Sequence, residues 1–417
     1  MKYETFESDT YNLYTIKCDK FKSCHMEIVF RSKCTKENIT YEALLFDMLM
    51  ENNRDYPSKK LFARKCQELY NLGLYSSTSR VGNTLITSVI SDFLDPKYMD
   101  DKSLEEIIKL TFSTIFNPNV DCNQFDENTF NIVKKRLYTE IDAIKEDPKQ
   151  SSILSSLQAL DPNSPRGWNT SGDTVTLDDI TPKKLYNYYK NVLENSYVDV
   201  YLIGNLDMSH MNKLISKYTK FTSIKTDKLE LYLDDLNIKK TINKSRTSSN
   251  SQTDLVSIYS TNNLDDYERD YVLPIFNMLW GSGSLDSKLY KSLRSENALC
   301  YSVGTYYQKY DKIIILHTEI EHDCYNKALK LIKNTISEIA AGKILESELE
   351  NAKKILINSL NLIYDSPSRL IDNYLFKNIA GLDEIDKRVD EFKKVTINDI
   401  VKVSKKIKLV ENYKVGE

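Results

Sequence analysis

The stretch of sequence that decides the fold starts at Leu279 and reads LWGSGS over residues 279–284. A Ser-Lys-Leu-Tyr run follows at residues 287–290, and LRSENALCYSV comes after it at residues 293–303. By itself the Gly/Ser segment is typical of a connector between helices. It is not a G-x-S-x-G nucleophile elbow and does not open a G-x-G-x-x-G phosphate loop, so it predicts neither a serine hydrolase nor a nucleotide site.

A weaker copy of this order occurs in the first half of the chain. SKKLF at residues 58–62 precedes LGLYS at residues 72–76, much as SKLY at 287–290 precedes ALCYS at 298–302. A pair of strands is predicted to follow in both places. The shared order predicts a tandem duplication with a repeat of about half the chain. Two unrelated α+β domains are the alternative.

Composition narrows the class of protein. The 417 residues are 41% hydrophobic and 28% charged, which supplies a core and excludes global disorder. With 57 basic and 60 acidic residues, the net charge of −3 argues against a dedicated nucleic-acid binder. The seven cysteines include no C-x-x-C, the N-terminus has no signal-peptide pattern, and no apolar run reaches the ~18 residues of a membrane span. These features predict a cytoplasmic protein with reduced thiols.

Hydrophobic periodicity predicts strands and helices in the same order twice. The predicted strands are residues 25–31, 81–93, 198–203, 256–259, 301–307 and 313–319. The predicted helices are residues 39–53, 58–69, 104–116, 130–145, 183–193, 267–279, 286–295, 324–341, 346–364, 369–380 and 396–407. Thr181-Pro182 is a helix start, and Thr396 with Asp399 is a capping box. The polar residues 243–253 predict a linker or surface loop, so the predicted domains are 1–222 and 255–417 with a linker at 223–254.

The segment from Leu279 to Val303 resembles the signature of the pitrilysin/insulin-degrading-enzyme (insulinase) family of zinc peptidases, which includes the mitochondrial processing peptidase subunits. That signature is a glycine-containing turn, then S-x-L/K-L-F/Y, then R-E-x-x-x-L-x-Y-S. The resemblance extends through both halves and covers nearly the whole chain. It implies an α+β fold of two tandem homologous domains, each a mostly antiparallel sheet with helices packed on one side, as in half of a clam-shell.

In that family a first-half helix carries H-x-x-E-H, in which both histidines bind zinc and the glutamate is the general base. The corresponding positions here are Ala43, Phe46 and Asp47. Alanine and phenylalanine offer a metal no lone pair. Glu140 matches the third ligand, although one carboxylate does not hold zinc and an exposed helix glutamate is the alternative. The resemblance therefore implies no zinc in this chain, since H-x-x-E-H and its reverse are absent around the four histidines, His25, His210, His317 and His322.

The family's substrate-holding pair is better matched. Active members use an arginine and a tyrosine seven residues apart, and Arg294 and Tyr301 occupy those positions. A guanidinium and a phenol can donate hydrogen bonds to a peptide carbonyl or a developing oxyanion. The alternative is structural, with Arg294 paired to Glu296 and Tyr301 half-buried in a strand. In the family a glycine-rich loop of a non-catalytic subunit guides substrate, which makes Gly281 and Gly283 candidate substrate-binding residues.

One further cluster of histidine and glutamate occurs at residues 317–322, which read HTEIEH. If the preceding strand continues, His317, Glu319 and Glu321 share one face and His322 lies on the other. A metal site is one interpretation, and a solvated strand end is the favoured alternative.

Together, these features predict a catalytically degenerate insulinase-family subunit that is not active alone. The resemblance implies a heterodimer with a zinc-bearing H-x-x-E-H subunit, which together form a peptide-cleaving chamber. This chain would bind the peptide and supply Arg294 and Tyr301 in peptide processing or maturation, with zinc only in the partner. Bacterial relatives often occur as such pairs, some in the maturation of small ribosomal peptides. The alternatives are a non-enzymatic peptide-binding or scaffold subunit and, less favoured, an independent enzyme with a metal site at His317 and His322.

Overall fold

A computed structural model describes residues 1–222, 229–282 and 285–416 of the chain. The strands in these ranges are β1 (Lys2–Glu7), β2 (Asn12–Lys17), β3 (Ser23–Lys33), β4 (Gly73–Val81), β5 (Thr84–Leu94), β6 (Val120–Asp121), β7 (Gln124–Phe125), β8 (Tyr197–Gly204), β9 (Ile242–Arg246), β10 (Thr253–Ser260), β11 (Val303–Gln308), β12 (Ile313–Ile320) and β13 (Lys408–Val415). The α-helices are α1 (Lys36–Leu49), α2 (Lys59–Glu68), α3 (Ser103–Phe116), α4 (Glu127–Glu146), α5 (Pro148–Leu160), α6 (Thr174–Asp179), α7 (Pro182–Asn195), α8 (Met208–Tyr218), α9 (Leu273–Trp280), α10 (Tyr325–Ala340), α11 (Glu346–Asn361), α12 (Pro367–Ala380), α13 (Ile385–Lys394) and α14 (Ile397–Lys406). Within the same ranges, two segments are π-helical, Glu268–Val272 and Tyr290–Ser295.

Several helices begin where the sequence predicts, because a side chain caps the first turn. The Thr181 side chain accepts a hydrogen bond from the Lys184 amide, with Pro182 at the first helical position of α7. Thr396 and Asp399 form the predicted capping box of α14. Such caps satisfy amide groups that the helix itself leaves without partners.

The two large sheets share the topology of five strands, and the first sheet has β1 as an additional edge strand. The first sheet has the strand order β1-β2-β8-β3-β5-β4, and the second has β11-β12-β10-β13-β9. Each is antiparallel except for one parallel pair, β2 with β8 and β9 with β13. Read from its other edge, the second sheet has the order β9-β13-β10-β12-β11. These strands correspond in that order to β2, β8, β3, β5 and β4 of the first sheet. This correspondence confirms an α+β fold of two repeated, mostly antiparallel sheets.

The chain forms two compact units, each drawn from several segments. The first unit comprises Met1–Ala143, Asn169–Leu231 and Ser366–Leu375. The second comprises Ile144–Trp168, Tyr232–Asp365 and Phe376–Glu417. A helix from the first half of the sequence, α5, thus belongs to the second unit, and most of α12 belongs to the first.

These two helices lie on the sheet faces that the other helices leave open. In the second unit, Leu157 and Leu160 of α5 belong to a core cluster with Val256 and Ile258 of β10. The other face of β10 packs into the main helical core through Leu255. In the first unit, the α12 ring of Tyr374 stacks on the β1 ring of Tyr3, with centroids 4.3 Å apart. Most helices pack on one side of each sheet as predicted, and one helix packs on the other side.

Part of the predicted linker is a strand. Residues 242–246 form β9, which pairs in parallel with Glu411–Val415 of β13. Four of its five residues are exposed, so its composition is that of a surface segment even though its backbone is in a sheet. Residues 223–228 of that linker lie outside the described residues. The boundaries at 222 and 255 stay predictions.

Among the described residues, no helix combines the length and the apolar character that crossing a membrane requires.

Candidate functional site

The positions that correspond to the family's zinc motif lie on α1 in the first unit. Ala43 and Asp47 are one helical turn apart, and both are partly exposed. Phe46, at the position of the general base, points into the core instead. It is 1% exposed, and its ring centroid lies 5.1 Å from that of Phe30. The helix therefore keeps the one-turn spacing of the two zinc-ligand positions. The general-base position holds a core side chain instead.

An arginine occupies the place beside Asp47. Arg136 of α4 donates from Nη1 to Glu51 Oε1 at 2.5 Å and from Nη2 to Asp47 Oδ2 at 3.3 Å. Lys59 Nζ donates to the same Glu51 oxygen at 2.9 Å. Burial would raise the pKa of Glu51, but the hydrogen bonds from Arg136 and Lys59 outweigh it and hold the pKa below its usual range. A guanidinium thus supplies the positive charge here, and the residues at this position do not fit a zinc ion.

Glu140, the candidate third ligand, lies one turn after Arg136 on α4 and is exposed. Partial desolvation and the nearby charge of Asp47 raise its pKa. The structure therefore brings Glu140 near Asp47, as the family's pattern implies, but the ligand set still contains no histidine.

Arg136→Gln is expected to lower the free energy of unfolding by about 1–2 kcal/mol, because the buried Glu51 carboxylate loses a charged donor. Urea denaturation of the purified chain measures this difference. Lys59→Gln is the matched control, since the Lys59 side chain is 69% exposed and is expected to cost at most about 0.5 kcal/mol. Equal costs for the two variants would contradict the assignment of Arg136 as the main partner.

The candidate residues Arg294 and Tyr301 lie in the second unit, and their side chains are in contact. The guanidinium carbon of Arg294 lies 5.1 Å from the centroid of the Tyr301 ring, a cation–π contact. Arg294 Nη1 also donates to the Cys300 carbonyl oxygen at 3.0 Å. Tyr301 is 82% exposed, so it is not a half-buried strand aromatic. In the described part of the chain, no ion pair links Arg294 to Glu296.

The backbone between Arg294 and Tyr301 makes a tight turn. The Leu299 amide donates to the Leu293 carbonyl at 2.9 Å, which closes a Schellman-type helix end. Ala298 takes the left-handed conformation with φ +49°, where glycine is usual. The π-helical segment before this turn is of a kind often found at functional sites. In the first unit, the Leu72 amide makes the same six-residue bond to the Cys66 carbonyl at 2.9 Å, which supports the duplication.

Gly281 has a structural reason to be glycine. It is buried, and a Cβ added there would lie 2.5 Å from Leu289 Cδ1 and 2.9 Å from Thr305 Cγ2. The Thr305 amide also donates to the Gly281 carbonyl at 3.1 Å. Gly283 lies outside the described residues. A role for either glycine in substrate binding stays a prediction.

The two histidines of the first unit, His25 and His210, lie in different surroundings. His25 is 4% exposed, with Nδ1 2.5 Å from Asp92 Oδ1 and Nε2 2.8 Å from Glu27 Oε1. Burial alone would lower the pKa of His25, but hydrogen bonds to the two carboxylates raise it to about 9. His210 is exposed on α8. The chain thus offers no histidine at the positions of the zinc motif.

The cluster at residues 317–322 is arranged differently from the sequence expectation. His317 and Glu319 share a face of β12, but Glu321 follows the strand and accepts a bond from Gln252. His322 Nδ1 lies 2.8 Å from Thr253 Oγ1. The residue that joins His317 and Glu319 is Asp254 of β10. The local pattern misses Asp254 because it depends on pairing between two distant strands.

The known proteins that this chain resembles agree with the replaced zinc motif. A family model described as the peptidase M16 inactive domain matches residues 179–356. Over these residues the chain is similar to the M16, or insulinase, family. A curated relative, the probable inactive metalloprotease YmfF of Bacillus subtilis (strain 168), is 23% identical over 409 residues, covering 96% of this chain and 94% of that protein.

Solved M16-like structures agree in fold over the whole chain. A conserved protein from Enterococcus faecalis V583 has a TM-score of 0.92 at 23% identity, covering 100% of this chain and 99% of that one. A peptidase M16 inactive domain from Pseudomonas fluorescens has a TM-score of 0.80 at 14% identity, covering 100% and 98%. These likenesses show the M16 two-domain fold. With the zinc motif replaced, the chain resembles the inactive type of M16 peptidase-like protein.

Proposed function

We propose that this M16 protein is the non-catalytic subunit of a heterodimeric zinc peptidase. Its partner is an M16 subunit that carries H-x-x-E-H and therefore holds the zinc and the general base. The two subunits form a chamber in which a peptide is bound and cleaved during processing or maturation. The setting proposed is the bacterial cytoplasm, in keeping with the reduced thiols.

The observation that carries this proposal is the contrast between the two candidate sites. At the zinc position, Arg136 neutralises Asp47 and Glu51, so the charge of a metal is already replaced. At the substrate position, Tyr301 is 82% exposed beside Arg294. An exposed phenol next to a guanidinium does not stabilise the core. It is suited to binding a ligand that accepts hydrogen bonds.

The chemistry proposed for the pair is transition-state stabilisation. The free N–H groups of Arg294 and the hydroxyl of Tyr301 would donate to the scissile carbonyl and to the oxyanion that develops on it. The strained turn at Ala298 holds the two side chains at a fixed separation, so little reorganisation is needed when charge develops. The bond-breaking water and its general base belong to the partner.

The test is reconstitution of peptidase activity. The full chain is co-expressed with an H-x-x-E-H-bearing M16 subunit from the same organism, and cleavage of a fluorogenic peptide library is measured. Arg294→Ala is expected to lower kcat about 10²–10³-fold, the usual effect of removing one oxyanion donor. Tyr301→Phe keeps the ring and loses the donor, so it separates hydrogen bonding from packing.

Arg64→Ala is the matched control, since Arg64 is an exposed arginine on α2 outside the candidate site. It is expected to leave the rate unchanged. A full rate for Arg294→Ala in an active complex would favour the alternative of a scaffold or peptide-binding subunit. Hydrolysis by the isolated chain, or failure of every H-x-x-E-H-bearing M16 subunit of the organism to bind it, would contradict the proposal.

A further inference from the structure

We propose that Asp254, His317 and Glu319 form a binding site for a divalent transition-metal ion, with Zn²⁺ as the best-matched probe. One ligand atom from each residue lies within 4.8 Å of the other two. His317 Nε2 is 2.8 Å from Asp254 Oδ1. Adjacent ligands of an octahedral ion with bonds of about 2.1 Å are roughly 3 Å apart, so one ion can replace the proton between this pair.

The sheet holds the three side chains in place. Asp254 of β10 lies directly opposite Glu319 of β12, and His317 is two residues before Glu319. Residues two apart on a strand, and residues opposite each other on paired strands, point to the same face. Asp254 is 2% exposed and His317 is 5% exposed, while Glu319 is partly exposed. Two ligands are therefore fixed by the core and the third opens to solvent.

The two carboxylates of this cluster form no ion pair with a lysine or arginine within the described ranges, and His317 alone pairs with Asp254. The acidic residues at the degenerate zinc position differ in this respect, since Arg136 and Lys59 neutralise them. Buried carboxylates are normally paired or coordinate a metal. A divalent cation supplies the charge that this cluster lacks.

The neighbouring strand leaves room beside the histidine. Gly304 of β11 lies directly opposite His317. Among the described residues, a Cβ built on Gly304 would have only the Tyr306 hydroxyl (3.5 Å) and Tyr306 Cζ (3.8 Å) within 4 Å. Residue 304 therefore has no side chain that covers His317 on this face of the sheet. Water molecules would complete the coordination of an ion from the side on which Glu319 is partly exposed.

The donor set indicates the class of ion. Imidazole favours zinc and its neighbours among the transition metals, whereas calcium and magnesium prefer all-oxygen sites. Three protein ligands also leave coordination positions for water, as in zinc sites that are not purely structural. The site therefore favours Zn²⁺ over Mg²⁺ and Ca²⁺.

The experiment is zinc loading of the purified full chain, followed by dialysis and elemental analysis. Wild-type protein is expected to retain about one zinc per chain, and Glu319→Gln is expected to weaken zinc binding at least tenfold. Glu140→Gln is the matched control at the degenerate zinc position and is expected to retain zinc. Because Glu319 is partly exposed, its substitution spares the core. His317→Gln gives a second loss-of-ligand variant, with circular dichroism to confirm folding.

A second measurement guards against zinc held by cysteines. Zinc is expected to raise the melting temperature of the wild type and of Glu140→Gln, but not that of Glu319→Gln. Absence of zinc from the wild type, or wild-type zinc content in Glu319→Gln, would overturn the site. The result is independent of the proposed peptidase role, since it uses the chain without a partner and leaves Arg294 and Tyr301 intact.

Discussion

Rebuilding the zinc motif with Ala43→His, Phe46→Glu and Asp47→His is expected to unfold the first unit rather than to create a peptidase. Phe46 is 1% exposed and packs against Phe30, so its replacement removes a core aromatic at a cost of about 3–5 kcal/mol. Glutamate would also bury a carboxyl group among apolar side chains, which costs several kcal/mol more. The sum is comparable with the whole stability of a typical domain, about 5–15 kcal/mol.

The measurement is urea unfolding of the triple variant beside the double variant Ala43→His/Asp47→His. The double variant keeps Phe46 and is expected to fold, losing only the contact of Asp47 with Arg136. A stable triple variant would contradict the argument that position 46 has become a core position. Such a result would mean that α1 can turn a glutamate toward solvent without disturbing Phe30.

Features that depend on local sequence could be predicted. Amphipathic periodicity and caps predict α7 and α14, because the signals lie within the helices or next to them. The strand at 25–31 is recognisable for the same reason. The candidate pair Arg294 and Tyr301 comes from the family resemblance, and a single turn brings the two side chains into contact.

Features that depend on distant segments could not be predicted. Helix α5 buries Ser151, Ser152 and Ser156 on its inner face, so hydrophobic periodicity does not mark that face. Strand β9 is mostly exposed, and its partner β13 closes the chain, so nothing in its own residues predicts pairing.

The same limit applies to the candidate sites. Arg136 reaches Asp47 from another helix, and Asp254 reaches His317 from another strand. Both contacts depend on tertiary structure, and each changes what the local motif can do. Asp47 is paired with Arg136, whereas His317 lies beside Asp254, a second candidate metal ligand.

The second large effect that we expect is a loss of stability as pH rises. It arises where α5 packs on the second sheet. Glu411 of β13 is fully buried, and Ser156 of α5 donates to its Oε2 at 2.8 Å. Within the described structure, Oε1 has no hydrogen-bond partner. Burial raises the pKa of Glu411 from 4.5 to about 7, although Ser156 and the charge of Lys244 oppose the shift. The folded protein therefore holds this carboxyl group protonated at mildly acidic pH.

The sign of the pH dependence follows from this raised pKa. The unfolded chain loses the Glu411 proton near pH 4.5, whereas the folded chain keeps it until about pH 7. Ionisation therefore opposes folding, and the free energy of unfolding falls as pH rises from about 4.5 through 7, by about 3 kcal/mol in total. Glu411→Gln removes this ionisation and is expected to be more stable than wild type by up to about 3 kcal/mol at pH 8.5, and nearly equal at pH 5.

Urea unfolding at the two pH values measures the difference, with Glu338→Gln as the control. Glu338 is exposed on α10, so the same change of charge there is expected to produce no difference between the two pH values. Lower stability of Glu411→Gln at pH 8.5 would show that the ionised carboxylate stabilises the contact between α5 and the sheet. Higher stability would show that α5 is held most firmly when Glu411 is neutral, which makes this buried acid the point where rising pH weakens the second unit.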